Sequence, residues 1–481
     1  MRIRIPSWRA VAAAGLSLPL ATCAMNPATG QNEISLVSES QEISMGREAV
    51  AAVAQQTPDY PDSALQAYVN GVGQKLAAAG ERPSLPWQFR IVSDPSVNAF
   101  ALPGGFIFIT TGILADMESE AELASVLGHE TGHVTARHSA RQITRQELAQ
   151  LGLVAGSIAS STFAQYAGAL SQGLQLLFLS YSRADESQAD GLGFRYALKS
   201  GYDVRAMREV FITLDGVTQA AGGARLPTWQ STHPAPADRI TATDQRLAAT
   251  KVNYDSLYLG RSQYLHRIDG MVYGDDPRHG YFDGSLFLHP DLRFQFTFPS
   301  GWKTFNVAAS VSGESQAQDA IVQITLAQGS PDSAARALFG QQGVQSANVG
   351  ATRINGLDAV SGDFSAQDQN ATIRGRASFV SWGNRTYALV GYTTADRWSS
   401  YQGTINAALQ SFRPLTDSKA LSVQPMHLRI ETLSRPMTLA QFYRMSPTGV
   451  SLAELCLVNR TDSTQVLPAG TIVKRVLKGG T

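Results

Sequence analysis

Apolar positions in the first half of the chain recur mostly at helical spacing. Ser38 leads into a predicted helix through Val53, and Pro58, Pro61 and Asp62 break the chain after it. Leu65, Tyr68, Val69, Val72 and Leu76 then share one helical face, with Gly80 as the stop. Two runs read as strands instead. Trp87 to Val92 alternates, and Phe106-Ile-Phe-Ile-Thr110 follows a Pro103-Gly-Gly105 turn that allows close backbone approach. Ser119 and Glu122 make a capping-box pattern, and Leu123, Val126, Leu127 and Val134 give the helix they open its apolar face. Further helices are predicted from Leu174 to about Gly201, from Val204, and from Pro234 to about Ala248.

Beyond Gly270 the period changes. Gly270 to Gly284 is rich in Gly and Asp and reads as a boundary loop. Leu292–Phe298, Ala320–Leu326, Ala377–Trp382 and Tyr387–Tyr392 alternate like strands, with a helix at Ser333–Gln341 between them. This predicts a small α+β module over 285–413, a linker at Arg413–Ser422, and a short final domain over 423–477. Residues 23–270 read as a mainly helical domain with a small sheet, so the expected fold class is α+β. A chain of 481 residues is long enough for two or three domains, and 43% apolar residues exclude global disorder.

Basic and acidic residues balance at 39 each. With no basic block, nucleic acid is not an expected partner. Leu148 to Ser182 contains no charged residue, yet Gln150, Gln165, Gln172 and Gln175 make it a poor membrane span. A buried or cleft-covering helical segment fits better.

The first residues form a leader. Arg2, Arg4 and Arg9 precede an apolar stretch, Ala10 to Leu20, which is too short to span a bilayer. It ends in Leu20-Ala21-Thr22-Cys23, which resembles the lipobox of bacterial lipoproteins, with Thr22 in place of the usual Gly, Ala or Ser. The resemblance implies a leader of residues 1–22 and a lipid anchor on Cys23. With Ala24 next rather than Asp, it also implies the periplasmic face of the outer membrane. The plainer alternative is a secretory leader with Cys23 incidental. Asn26 to Gly30 reads as a turn-rich linker, and Cys456, the other cysteine, has no disulfide partner if Cys23 is acylated.

The chemistry centres on His129-Glu130-x-x-His133. Residues four apart on a helix are about 40° from eclipsed and about 6 Å apart, so both imidazoles reach one metal ion. Glu130 stands where it can take a proton from water. A catalytic metal of this kind has a third protein ligand and leaves a position open. Glu186 is the best candidate, with Asp190 four residues on to accept a hydrogen bond from a ligand imidazole. Asp185 competes, but points about 100° away. His138, five residues after His133, is turned about 140° off the metal face, which suggests a structural role on the helix. Arg183 reads as a structural ion-pair partner.

His129-Glu-x-Gly-His-Val-x-Ala-Arg-His138, followed by Tyr181-Ser-Arg-x-x-Glu186-x-x-Ala-Asp190, resembles the BepA/LoiP-type metallopeptidases of the bacterial envelope, relatives of the CAAX-processing proteases. Asn98-Ala-Phe-Ala-x-Pro-Gly-Gly105, Ser231-Thr-His-Pro234 and Arg239-Ile240 add to the match. The resemblance implies a gluzincin-type fold with one Zn2+ held by His129, His133 and Glu186, and Glu130 as general base. It implies that His233 donates to the oxyanion or occupies the fourth metal position at rest. Arg239 is a weaker candidate for the same pocket. The strand at Gly105, Phe106, Ile107 and Phe108 is expected to be an edge that aligns substrate, with an ordinary core strand as the plainer alternative. Expected substrates are unfolded or misassembled envelope proteins.

The C-terminal end resembles a LysM-type domain in Leu428-Arg-Ile-Glu-Thr, Thr438-Leu-Ala-x-Phe442, Leu455-x-Leu-Val-Asn459 and Leu467-Pro-Ala-Gly470. Pro436-Met437 replaces the usual Gly-Asp, so peptidoglycan contact is a hypothesis. Two readings compete with the protease: a peptidoglycan-associated scaffold or chaperone with its site held off, and a cell-wall amidase.

Overall fold

The computed structural model describes residues 22–150, 181–219, 233, 236–367 and 371–479. The leader up to residue 21, and the uncharged stretch over 151–180 with its predicted helix start at Leu174, lie outside the described residues. Helix and sheet are mixed throughout.

The first half is built around the helix Glu120–Thr135, here the motif helix, in which all 16 residues are buried. Ser119 caps it by accepting from Glu122 N–H, while the Glu122 carboxylate accepts from Glu118 N–H. It packs against the helices Ser63–Ala79, Arg183–Lys199 and Arg205–Gln219. Its closest neighbour is Arg183–Lys199, here the carboxylate helix. A Cβ on Gly193 would meet His129 N at 2.7 Å, and one on Gly132 would meet Ala189 O at 2.9 Å. Small residues at this crossing let two backbones approach closely enough for side chains on both to reach one point.

A three-stranded sheet lies beside the motif helix, in the order Gln88–Val92, Phe106–Thr110, Ala99–Leu102. Phe106–Thr110 is its central strand, parallel to the first and antiparallel to the last. Both of its hydrogen-bonding edges are used and all five residues are buried, so the edge expected at Gly105 to Phe108 is not there. The continuous apolar run reflects burial on both faces. Phe106 and Phe108 pack on Ala49 and Val53, while Ile107 and Ile109 face the main core. The strand next to the motif helix is Ala99–Leu102.

Asn26 to Gly30 forms the turn of a hairpin rather than a free linker. Thr22–Met25 pairs with Asn32–Ser35, and Asn26, 2% exposed, donates to Ala136 O at the end of the motif helix.

The middle module has a seven-stranded antiparallel sheet. Its order is Lys303–Val307, Ser310–Glu314, Ala320–Ala327, Arg385–Thr394, Thr372–Trp382, Leu357–Gln367, Val344–Ile354. The helix Pro331–Phe339 packs on the face bearing Ala377 and Phe379; Trp398–Leu409 and a small sheet around Phe294–Thr297 cover the face bearing Val380 and Leu389.

The C-terminal segment runs strand Met426–Thr432, helices Leu439–Met445 and Leu452–Val458, strand Ile472–Leu477, with the two longer strands antiparallel. Part of the stretch read as a boundary loop, Val272–Tyr273, adds a third strand to this pair. Leu428, Leu439, Leu455 and Val476 belong to the same apolar core as Leu114, Met117, Tyr264 and Met271. The last segment and the first half therefore share one core.

No helix among the described residues is long and apolar enough to cross a membrane.

Candidate active site

The two motif histidines lie one turn apart on the buried motif helix, with ring centroids 4.6 Å apart and Nε2 atoms 2.9 Å apart. Glu186, from the carboxylate helix, places Oε2 3.5 Å from His129 Nε2 and Oε1 3.4 Å from His133 Nε2. His233 reaches the same point, with Nδ1 2.8 Å from Glu186 Oε1. One ligand atom from each of His129, His133, Glu186 and His233 lies within 4.8 Å of the others, and all four residues are buried.

This donor set fits a divalent metal. Burial, then neighbouring charges, lowers the pKa of His129 and of His133, so the rings sit in the neutral form that ligates. Both Glu130 oxygens and Glu186 Oε2 are buried without a hydrogen-bond partner among the described residues. Such carboxylates are costly unless a cation or a proton meets them. Burial, then the Glu186 charge, pushes the Glu130 carboxyl up to about 8.

Each motif histidine is held from behind at Nδ1. For His129 the partner is Asp190, at 2.9 Å. Burial pushes the Asp190 carboxyl up, but Arg239 and the His129 bond outweigh it and hold it well below the usual range. Arg239 is 6% exposed and donates from Nε to Asp190 Oδ2 at 2.9 Å and from Nη2 to Oδ1 at 2.5 Å. Its guanidinium also stacks 4.2 Å over the Phe211 ring. Arg239 thus braces the supporting carboxylate, while its Nη1 lies 3.4 Å from Oε2 of Glu186, beside the cluster itself. For His133 the partner is His138, at 2.8 Å. His138 is not one of the four clustered ligand candidates, and it meets His133 from behind because the motif helix ends at Thr135 and Arg137, at φ 56°, redirects the chain.

Ser182 caps the carboxylate helix by accepting from Asp185 N–H, and the Asp185 carboxylate accepts from Ser182 N–H and pairs with Arg141. Arg183 is exposed and makes no ion pair among the described residues. The sequence reading assigned no role to Tyr181, whose ring stacks on His133 with centroids 4.1 Å apart and whose hydroxyl bonds Ser139 Oγ at 3.0 Å. Its position immediately before the Ser182 cap was the available signal. Cys23 lies in the N-terminal hairpin, paired in register with Ile34.

Residues 63–247 match peptidase family M48. The chain is 32% identical over 220 residues to a putative beta-barrel assembly-enhancing protease of Vibrio cholerae, covering 44% of this chain and 45% of that one. It is 30% identical over 229 residues to the beta-barrel assembly-enhancing protease of Escherichia coli K12, covering 46% of each. It is 35% identical over 182 residues to the mitochondrial metalloendopeptidase OMA1 of Danio rerio, covering 36% of this chain and 38% of that one. The chain thus spans less than half the length of these relatives. The solution structure of cyanobacterial PsbP from Synechocystis covers 28% of this chain and 94% of its own at a TM-score of 0.23 and 14% identity, a likeness too weak to bear on function.

Proposed function

On the premise that residues 63–247 are a metal-dependent peptidase domain of family M48, we propose that the whole protein is a zinc metalloendopeptidase of the bacterial envelope. It acts in this reading on unfolded or misassembled envelope proteins. The observation that carries it is the convergence of His129, His133, Glu186 and His233 within 4.8 Å, beside the buried carboxylate of Glu130, which has no hydrogen-bond partner among the described residues.

His129, His133 and Glu186 would hold the ion. Zinc bound there supplies Lewis acidity, polarising the scissile carbonyl and acidifying water. Glu130 takes the proton from the attacking water and passes it to the leaving amine. Asp190, pinned by Arg239, fixes the His129 tautomer. In place of the Phe106 strand, Ala99–Leu102 is the rail for an extended substrate, because among the described residues it has a strand partner on one side only and it runs beside the motif helix.

Acylation of Cys23 would anchor the protein on the periplasmic face of the outer membrane. Peptidoglycan contact through the C-terminal segment is supported by its strand-helix-helix-strand order. A pull-down with purified sacculi tests it, and full-length protein left in solution ends the idea.

His233 favours a second reading, a scaffold or chaperone whose protease site is held shut, since its ring already contacts Glu186. Comparing the protein with Glu130→Gln on an unfolded substrate, alongside zinc content, decides between them. Cleavage by the unaltered chain alone supports the peptidase; zinc in both with cleavage by neither supports the scaffold.

A further inference from the structure

His138 lies outside the His-Glu-x-x-His motif, yet it bonds directly to one of the motif's rings. Its Nδ1 is 2.8 Å from Nδ1 of His133, and its Nε2 is 3.0 Å from Oε1 of Gln188. It is 1% exposed, and its ring meets that of His133 edge-on, at 78°.

The protons in this chain of contacts can be placed one by one. His133 turns Nε2 toward His129 and Glu186. If that nitrogen offers its lone pair to a metal, the ring proton is on Nδ1 and must be donated outward. The atom facing it is His138 Nδ1, which accepts only if unprotonated. His138 then carries its proton on Nε2, where the Gln188 carbonyl oxygen accepts it. Every donor meets one acceptor. The chain ends on the carboxylate helix, two residues from Glu186, so the same element supplies a ligand and the last acceptor.

We propose that His138 is a positioning residue of the metal site, fixing the tautomer and plane of His133 as Asp190 does for His129. The inference rests on the reading of His129, His133 and Glu186 as metal ligands. One ligand ring is backed by a carboxylate and the other by a neutral imidazole relayed to an amide.

An alternative role as packing against Tyr181, 5.9 Å away, predicts a different response to substitution. Asn in place of His keeps an acceptor oxygen where Nδ1 stood; Gln moves it to the place of Nε2; Leu removes it. The test is zinc affinity of the full-length chain, measured by competition with a chromogenic chelator, with thermal melting of the metal-free proteins as the folding control. His138→Leu and His138→Gln are expected to bind zinc about 10- to 100-fold more weakly, while His138→Asn stays within about threefold of the unaltered chain. Gln188→Leu is expected to fall between, because His138 is then free to take the wrong tautomer. Asn binding as weakly as Leu, or all variants binding alike, overturns the proposal. If His138→Leu does not fold, the contrast between Asn and Gln decides. An unaltered chain that binds no zinc overturns the underlying metal reading instead, which separates the two failures.

Discussion

The ammonium of Lys474 lies 2.9 Å from the carboxylate of Glu118, where the last strand of the chain meets the entry to the motif helix. Nζ also donates to the carbonyls of Ala115 at 2.9 Å and Met117 at 2.6 Å, and the side chain is fully buried. Close by, Arg460 holds the Glu122 carboxylate through two nitrogens and donates to Asp116 O. The C-terminal segment thus clamps the turn from which the motif helix starts.

Removing one partner from such a pair leaves the other buried and uncompensated. Lys474→Met is expected to cost about 3 kcal/mol, read as a shift in the urea midpoint. Truncation after Ser422 is expected to abolish cooperative melting, because Leu428, Leu439 and Val476 complete the shared core. A truncated chain that melts like the full one would show instead that the two parts fold separately.

Gly193 sits where the carboxylate helix crosses the motif helix, and a Cβ there would press on His129 N and Gly128 C at 2.7 and 2.9 Å. Backbone cannot yield as a side-chain tip can. Gly193→Ala is expected to destabilise the fold by about 1–3 kcal/mol and to move Glu186 and Asp190 off the histidines. Metal content after dialysis, measured with the melting temperature, checks both. Full zinc retention at an unchanged melting temperature would mean that the crossing has slack.

The chemistry was legible in the sequence where it is local. His129, Glu130 and His133 are placed by one helix, and Glu186 and Asp190 by a second, so helical spacing predicted which side chains share a face. What depended on pairing was not legible. The run Phe106–Thr110 reads as a strand, but nothing in four apolar residues and a threonine says whether its neighbours lie on one side or both. The contact of His138 with His133 was not legible either, because the helix ends at Thr135 and Arg137 is left-handed. In the middle module Val344–Ile354 escaped notice since almost every residue is exposed, leaving no apolar alternation to read. The shared core was hidden for a similar reason: Val272 and Tyr273 are too short a pattern to announce a strand.

His289 gives the middle module an acid-sensitive element. Its ring stands between Phe287 and Phe294, and Nδ1 accepts from Leu292 N–H at 3.3 Å, which requires the neutral form. Burial, then the charge of His279, lowers its pKa from 6.5 to about 4. Between those values the unfolded chain binds a proton that the folded chain refuses, so stability rises with pH. The stabilisation is complete above pH 6.5 and is lost as pH falls through 4, to a total of about 3 kcal/mol. Urea unfolding of the chain and of His289→Phe at neutral pH and at pH 4.5 isolates this share. The expected result is a smaller acid loss in the variant; equal losses would place the proton elsewhere.

His233 can be given two roles that differ in sign. As an oxyanion donor it speeds the reaction, and His233→Ala should slow turnover by about 100- to 1000-fold with zinc retained. As an occupant of the fourth position it competes with water and substrate carbonyl, and its loss should weaken zinc binding and raise turnover. The geometry favours occupancy: Nδ1 is 2.8 Å from Glu186, Nε2 is 4.0 Å from Glu130, and the residue is 3% exposed. A donor for the oxyanion has to face the substrate's carbonyl, whereas this ring is turned inward on the ligands themselves. We therefore expect His233→Ala to digest a fluorogenic unfolded substrate several-fold faster and to release zinc to a chelator more readily. A hundredfold slower variant with unchanged zinc affinity would assign His233 to the oxyanion and leave the fourth position free for substrate from the start.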